Sequence, residues 1–407
     1  MKSIKLNKRG STSIFLMIIL AAMISVTFLY IRASIKVAAV GYCDGLLNLS
    51  ARSVLSEYNK ELKEEYGIFA FYGMERDIED SMKLYINYTL DKNDHLFLNS
   101  LRVDVSEESL LNTNAFEQEI IQYTKYAMAR GIIDKIVDPS GGGEDVPPVS
   151  GNRVLRNKRV IDSLPSAALG DNGSLLTGAI EGLGQADQIF KEGSDRFFTN
   201  QYIMMHFKNA QNQNTGKNTF FVNEAEYILK GKLGDEANRK AFRRDLILLR
   251  NVPNLIFIYA DPVKRSELAT AAALITPGPG ALLTQLILAE AWALAESEND
   301  VRLLEHGKKV PVYKTPVTWA VDLQSIVDNT EVDYIDTKSP TGLTYQGYLQ
   351  LFLFFQDRST QMARMMDLIQ INMQGNHDAS FLIRDYNLGF DYKAKIDGRE
   401  YVYKDKY

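Results

Sequence analysis

The apolar pattern of the chain changes period near residue 32. Residues 13–31 read SIFLMIILAAMISVTFLYI and carry no charge. At about 1.5 Å per residue this run spans about 28 Å, close to a hydrocarbon core of ~30 Å. It predicts a transmembrane helix, since a buried core helix seldom stays apolar on every face over this length. Beyond it, Val40, Cys43, Leu47, Ala51, Val54, Tyr58, Leu62 and Tyr66 recur at three- and four-residue steps. Arg52, Glu57, Lys60, Lys63 and Glu64 fill the opposite face. Gly41 and Gly45 weaken such a helix without ending it, and the first stop is Tyr66-Gly67. The pattern predicts one helix over residues 13–66, about 80 Å long, half in the membrane and half an amphipathic stalk. The stalk's interaction stripe, Val40, Leu47, Val54 and Tyr58, needs a partner: the chain's own body or another copy. The apolar run Ile68-Phe69-Ala70-Phe71 that follows favours the body.

Further along, residues 75–90 and 116–136 read as helices, the latter capped near Asn114, and residues 95–105 alternate as a strand does. Residues 138–152, DPSGGGEDVPPVSGN, predict a flexible linker or loop. Residues 166–182 are Gly/Ser-rich and loose. Helices are expected at 185–208 and 235–250, with strand character at the start of 219–229. Residues 268–289 contain no charge and are long enough to cross a bilayer, but Thr276-Pro277-Gly278-Pro279-Gly280 divides them. Lipid does not accept exposed irregular backbone, so the reading is two buried helices joined by a turn, with a membrane hairpin as the alternative, the second helix running on to about His306. Residues 345–373 predict one long core helix. Residues 393–396 and 399–403 flank Asp397-Gly398, a two-residue hairpin signature.

The fold class expected is α+β: an N-terminal transmembrane helix continuing into a long amphipathic helix, then a mainly helical body with small antiparallel β elements. The divisions are a basic cytoplasmic leader (1–12), the transmembrane helix (13–31), the stalk and first part of the ectodomain (32–137), the linker (138–152) and the main ectodomain (153–407).

Charge adds a direction. The net charge is −5, yet residues 1–36 hold six basic and no acidic residues, leaving −11 on the remainder. An acidic body argues against a nucleic-acid partner, since phosphate binding needs a basic surface. Lys2, Lys5, Lys8 and Arg9 precede the apolar run and only Arg32 and Lys36 closely follow it. The denser cluster is the topology signal that keeps the N-terminus in the cytoplasm and places the body outside. The apolar run exceeds a signal peptide's ~7–15 residues, and Tyr42 before Cys43 breaks a lipoprotein signal. An uncleaved anchor in the cell membrane, crossing once, is the reading. With 45% hydrophobic and 24% charged residues the rest is ordinary globular protein. Cys43 is the only cysteine, so no disulfide forms within the chain.

Candidate chemistry is sparse. His95, His206, His306 and His377 have no partner at metal-ligand spacing, and Asp91, Asn93 and Asp94 lack the glycine and terminal glutamate of a calcium loop. Thr215-Gly216-Lys217-Asn218 lacks the first glycine and the hydroxyl of a phosphate loop. His377-Asp378 reads as a solvated turn. Glu224 and Glu226 would share one face of a strand, where paired carboxylates can do acid–base work; a solvent-facing or Arg-paired role is the simpler reading. No catalytic, cofactor or metal residue is assigned.

Several stretches carry a resemblance: Lys8-Arg9-Gly10-Ser11-Thr12-Ser13-Ile14-Phe15, Glu65-Tyr66-Gly67-Ile68-Phe69, residues 156–166 (RNKRVIDSLPS), residues 226–231 (EYILKG), residues 292–297 (WALAES), residues 310–314 (VPVYK), and Tyr345 through Tyr348-Leu349. Together they resemble an uncharacterised family of membrane-anchored proteins of Gram-positive bacteria whose genes lie beside tight-adherence (Tad) pilus genes. The N-terminus is similar to TadE/TadG-like minor pilins, which implies a processing site after Gly10; Phe15 stands where those pilins carry a glutamate. The resemblance implies a structural or assembly component of a Tad-like pilus or secretion system, with the bilayer and pilus assembly proteins, or the chain itself, as partners. A membrane-tethered envelope hydrolase using Glu224 or Glu226, and an extracellular sensor or binding module, are the alternatives.

Overall fold

A computed structural model describes residues 8–90, 96–130, 151–169, 175–185, 194–213, 216–330, 334–337, 339 and 341–407. Lys2, Lys5, Asp91, Asn93, Asp94, His95, Thr215 and residues 138–150 of the expected linker lie outside the described residues, and for Lys8, Arg9 and Gly10 only the helical backbone is described. The helices are α1 (Lys8–Leu55), α2 (Lys60–Tyr66), α3 (Glu75–Leu90), α4 (Thr113–Ala129), α5 (Lys158–Ser163), α6 (Leu175–Gly182), α7 (Asp195–His206), α8 (Glu224–Lys230), α9 (Asp235–Ala260), α10 (Pro262–Ile275), α11 (Ala281–Glu305), α12 (Leu323–Val327), α13 (Tyr345–Phe355) and α14 (Arg358–Asn376). A three-stranded antiparallel sheet is formed by β1 (Leu98–Asp104), β2 (Gly389–Ile396) and β3 (Arg399–Lys406), in the order β1-β2-β3. The chain is α+β and mainly helical. It divides into two compact units: residues 1–58, 71–108 and 389–407, and residues 59–70 and 109–388.

In the first unit, α1 is one unbroken helix of 48 residues, about 72 Å long. Its residues 12–38 are exposed on every face, and the helix is long and apolar enough to cross a membrane. Two hydroxyls deep within the apolar run are satisfied by their own helix: Ser25 Oγ donates to the Ala21 carbonyl and Thr27 Oγ1 to that of Met23, each at 2.8 Å. That is the arrangement an apolar medium demands, where no water can serve them. From Cys43 the helix gains a buried face. Cys43, Leu47, Ala51 and Val54 pack with Ile78, Met82 and Ile86 of α3 and with Phe390, Tyr392, Ala394 and Ile396 of β2 in one core. The sheet register sets Leu101 opposite Ala394 and Tyr392 opposite Tyr403, with an irregularity between Leu98 and Ser100. The β2–β3 turn is the expected Asp397-Gly398, with φ of 47° and 78°, the doubly left-handed geometry of a tight hairpin.

The stalk helix does not reach Tyr66 in one piece. It stops at Leu55, and α2 restarts where Asn59 Oδ1 accepts the Leu62 N–H at 2.7 Å. An asparagine side chain serves a helix start better than a helix interior. Gly67, at φ 67°, closes α2 through its N–H to the Lys63 carbonyl.

The second unit is built on α4, α7–α9, α11, α13 and α14 around a core that includes Tyr66, Phe116, Tyr202, Phe242, Tyr348 and Met366, and α10 packs through Leu268 and Ala272 in a separate cluster with Ile258 of α9 and Trp292 of α11. Several expectations are corrected here. The cap of α4 is Asn112, which accepts from Asn114 and Ala115. No strand forms at the start of 219–229; α8 occupies residues 224–230. Helix α9 runs ten residues past Arg250 and contains Pro253. The expected single helix over 345–373 is two, because Asp357 caps α14 through the Thr360 N–H at 2.9 Å. Residues 268–289 do form two helices with a break at 276–280, but they are not both buried: Leu274, Ile275, Leu282, Leu283, Leu286 and Ile287 are exposed.

Candidate functional site

The stripe residues lie within the first unit. Leu47 and Val54 are buried in its core, and Val40 packs at the edge of that core. Tyr58 is half-buried, its ring edge-on to Tyr407 with centroids 6.3 Å apart. The structure thus brings Val40, Leu47 and Val54 onto the chain's own α3 and sheet. The next face of α1 stays open: Leu49, Ser53, Leu84 and Tyr88 line an apolar groove of about 440 Å³ between α1 and α3.

Glu224 and Glu226 sit in the first turn of α8, fully buried. Each braces the preceding segment. Glu224 Oε2 accepts the Lys208 N–H at 2.9 Å, and Glu226 Oε1 accepts the Ala210 N–H at 3.0 Å and the Tyr345 hydroxyl at 2.7 Å. Asn372 joins the set, donating to Glu224 Oε1 at 2.7 Å and to the Tyr66 hydroxyl at 3.0 Å. Lys217 lies 3.9 Å above the Tyr66 ring with its Nζ 3.0 Å from His206 Nδ1. Burial pushes the Glu224 carboxyl up and pulls the Lys217 ammonium down, and burial with the Lys217 charge pulls His206 well down. These groups are tied to backbone and to each other, and neither glutamate lines the clefts at α3, α10 or α14. His377 Nε2 meets Glu65 Oε1 at 2.6 Å in the same unit, a tethered group where a solvated turn was expected. His306 stacks on Tyr334 with centroids 4.6 Å apart.

Burial, with Asp235 adding a smaller repulsion, outweighs the hydrogen bonds from Ala210 and Tyr345 and pushes Glu226 up to about 7, and its Oε2 finds no hydrogen-bond partner. The folded carboxyl therefore keeps its proton to about pH 7, whereas an ordinary glutamate loses it near 4.5. The folded state binds more protons in that window. Its contribution to stability is complete below pH 4.5 and is lost as pH rises to 7, by roughly 3 kcal/mol. Glu226→Gln keeps both acceptor bonds on its amide oxygen and cannot titrate. Denaturant unfolding of the detergent-solubilised chain at pH 5 and pH 7.5 should show a clearly smaller pH dependence for Glu226→Gln. An unchanged dependence would show that Glu226 is already ionised when folded.

Residues to which the sequence assigned no chemistry form a concentrated buried polar cluster. Arg250 Nε donates to Asp300 Oδ2 at 3.0 Å, and Arg250 Nη1 donates to the Val312 carbonyl at 2.8 Å and the Tyr348 hydroxyl at 3.1 Å. Lys314 pairs with both Glu296 and Asp300 and donates to the Thr318 carbonyl at 2.9 Å. Glu296 Oε2 accepts the Val321 and Ala320 N–H groups at 2.8 and 3.0 Å. All four charged side chains are buried, two of each sign. Burial pushes the Glu296 carboxyl up, with Asp300 adding to the shift against the pull of Lys314. A second junction centres on Asp367, which accepts the Ser166 N–H at 3.0 Å and the Tyr227 hydroxyl at 2.9 Å. The distinctive stretches 156–166, 226–231, 292–297, 310–314 and 345–349 each supply residues to one of these buried networks. Their tyrosines, lysine and glutamates fasten loops to helices. The only signal in the sequence was the presence of charged residues within otherwise apolar stretches.

One cleft lies beside this frame. Lys264, Thr270, Trp292, Asp322 and Gln324 are among the residues lining a space of about 670 Å³. Lys264 Nζ stands 4.3 Å from the ring centroids of both Trp292 and Trp319. Burial pulls the Lys264 ammonium down. Among the described residues, no group of three or more His, Cys, Asp or Glu is placed to hold a metal ion.

Residues 149–398, more than half of the chain, match the model of a family of unknown function, DUF5702. No curated protein and no solved structure matches the chain.

Proposed function

The chain belongs to the DUF5702 family, and from that premise we propose that it is a single-pass membrane-anchored, extracytoplasmic structural or assembly component of a Tad-like pilus or secretion system of Gram-positive bacteria. The observation that carries this reading is α1. One continuous helix has an apolar half, exposed on every face with Ser25 and Thr27 bonded to its own carbonyls, and a second half built into the core of a folded unit. A rigid helix shared in this way couples a bilayer to a protein body. The basic residues Lys2, Lys5, Lys8 and Arg9 support a cytoplasmic N-terminus. The motifs of the resemblance support a scaffold, since their polar residues brace the interior. Buried, backbone-bonded Glu224 and Glu226 give little support to the hydrolase alternative.

The test has two arms. Protease added to cells with opened walls should degrade the body and leave a small membrane-held fragment; complete protection refutes the orientation. Deletion should abolish pilus-dependent adherence, and the tagged chain should co-purify with pilus assembly proteins. Normal piliation and adherence in the deletion strain would sink the pilus assignment while leaving the anchor untouched.

A further inference from the structure

The α10–α11 hairpin ends in a tip that the protein does not cover. Leu274 and Leu282 are 78% and 67% exposed, and Ile275, Leu283, Leu286 and Ile287 are exposed beside them. Residues 268–289 contain no charge and no aromatic ring. Further back, the same two helices are buried at Leu268, Ala272, Leu288, Ala289 and Trp292. The hairpin is thus a rooted, two-helix projection with an apolar end. From Ala281 to Ile287 the apolar length is about 9 Å, and the first acidic side chains lie beyond it, at Glu267 on α10 and Glu290 on α11.

We propose that this tip inserts into the lipid bilayer as a second, interfacial membrane contact. The proposal rests on the anchored reading above, which keeps the body beside a bilayer at all times. Three observations select lipid as the occupant. The apolar length matches the ~5–10 Å to which interfacial helices enter a membrane. The large exposed side chains are Leu and Ile, with no aromatic residue, Met or Arg among the exposed residues 273–287, whereas the centre of a protein interface favours those types. The tip also satisfies much of its own polarity. The Thr276 N–H bonds the Ala272 carbonyl at 2.9 Å, the Ala281 N–H bonds that of Gly278 at 3.1 Å, and the Thr284 hydroxyl donates to the Thr276 hydroxyl at 2.9 Å. Pro277 and Pro279 have no N–H to desolvate. Groups paired in this way can enter lipid without being left unsatisfied there.

The native chain has one cysteine, buried Cys43, so a Cys43→Ala background accepts single reporters. The full chain, carrying Leu283→Cys, Ile24→Cys or Tyr313→Cys with an environment-sensitive fluorophore, is reconstituted into phosphatidylcholine/phosphatidylglycerol vesicles containing shallow or deep nitroxide lipids. Shallow nitroxides should quench the label at 283 several-fold more than the label at Tyr313, an exposed residue next to Lys314, which pairs with Glu296 thirteen residues along α11 from Leu283, while deep nitroxides quench the label at 24. Quenching at 24 with none at 283 overturns the hairpin proposal and leaves the anchor standing. Absence of quenching at both positions removes both. Shielding of the label at 283 in detergent that grows with protein concentration, without lipid quenching, means that a second copy covers the tip, and it overturns the proposal too.

Discussion

Arg250→Met should lower the unfolding free energy of the chain by about 3–5 kcal/mol, the usual cost of removing one member of a buried ion pair. The midpoint of thermal unfolding in detergent should fall by on the order of 10 °C. Arg250 and Lys314 face Asp300 and Glu296 with no solvent on any of the four. Removing the guanidinium leaves two carboxylates to one ammonium in the interior. It also strips the Val312 carbonyl and the Tyr348 hydroxyl of their donor. The cause can be separated from simple loss of packing. Arg250→Met combined with Asp300→Leu restores one positive and one negative group, Lys314 with Glu296. The double variant should therefore be less destabilised than the sum of the two single ones. Strict additivity would show that charge imbalance is not what Arg250 prevents.

Val54→Lys should cost about 4–5 kcal/mol near pH 7. Val54 is 3% exposed, held between the other core residues of α1, α3 and the sheet. A lysine placed there gives up its proton in preference to staying charged in an apolar core. The cost at pH 7 is then the work of deprotonating a group whose ordinary value is about 10.4, roughly 1.4 kcal/mol per pH unit. That assigns a sign to the pH dependence: the deficit relative to the native chain should shrink as pH rises from 7 to 10. Lys60→Glu is the contrasting change. Lys60 is exposed and its partner Glu64 is 3.7 Å away, a surface pair worth roughly half a kcal/mol. At the first position of α2 the new carboxylate also meets the positive end of the helix. Thermal unfolding of the full chain in detergent separates the two. Equal tolerance of both substitutions would mean that the α1 face carrying Val54 is not buried in solution.

Local chemistry made the membrane-length run, the Asp397-Gly398 hairpin and the break at 276–280 readable from the amino acids alone. An uncharged stretch of residues 13–31 admits few structures. A residue pair suited to left-handed backbone turns a strand whatever surrounds it, and two prolines in four residues end a helix by losing its donors. Periodicity also placed Leu47 and Val54 on an apolar face. What it could not state is which surface covers such a face, because a helix shows the same stripe whether it meets its own chain, a second copy or lipid. The core of α1, α3 and β2 decided that for Leu47 and Val54. The opposite outcome at Leu282 and Leu283, equally apolar and left exposed, came from where α10 and α11 are rooted. The stops at Leu55 and Phe355 were hidden for a related reason. Asn59 and Asp357 can sit in a helix or cap one, and the competition is settled by the direction in which packing carries the chain. Glu224 and Glu226 read as solvent-facing or Arg-paired, and nothing in the sequence marked Arg250 or Asp300. Only the tertiary structure, by bringing backbone N–H groups, tyrosines and opposite charges to them from distant positions, made their burial stable and turned candidate chemistry into internal bracing.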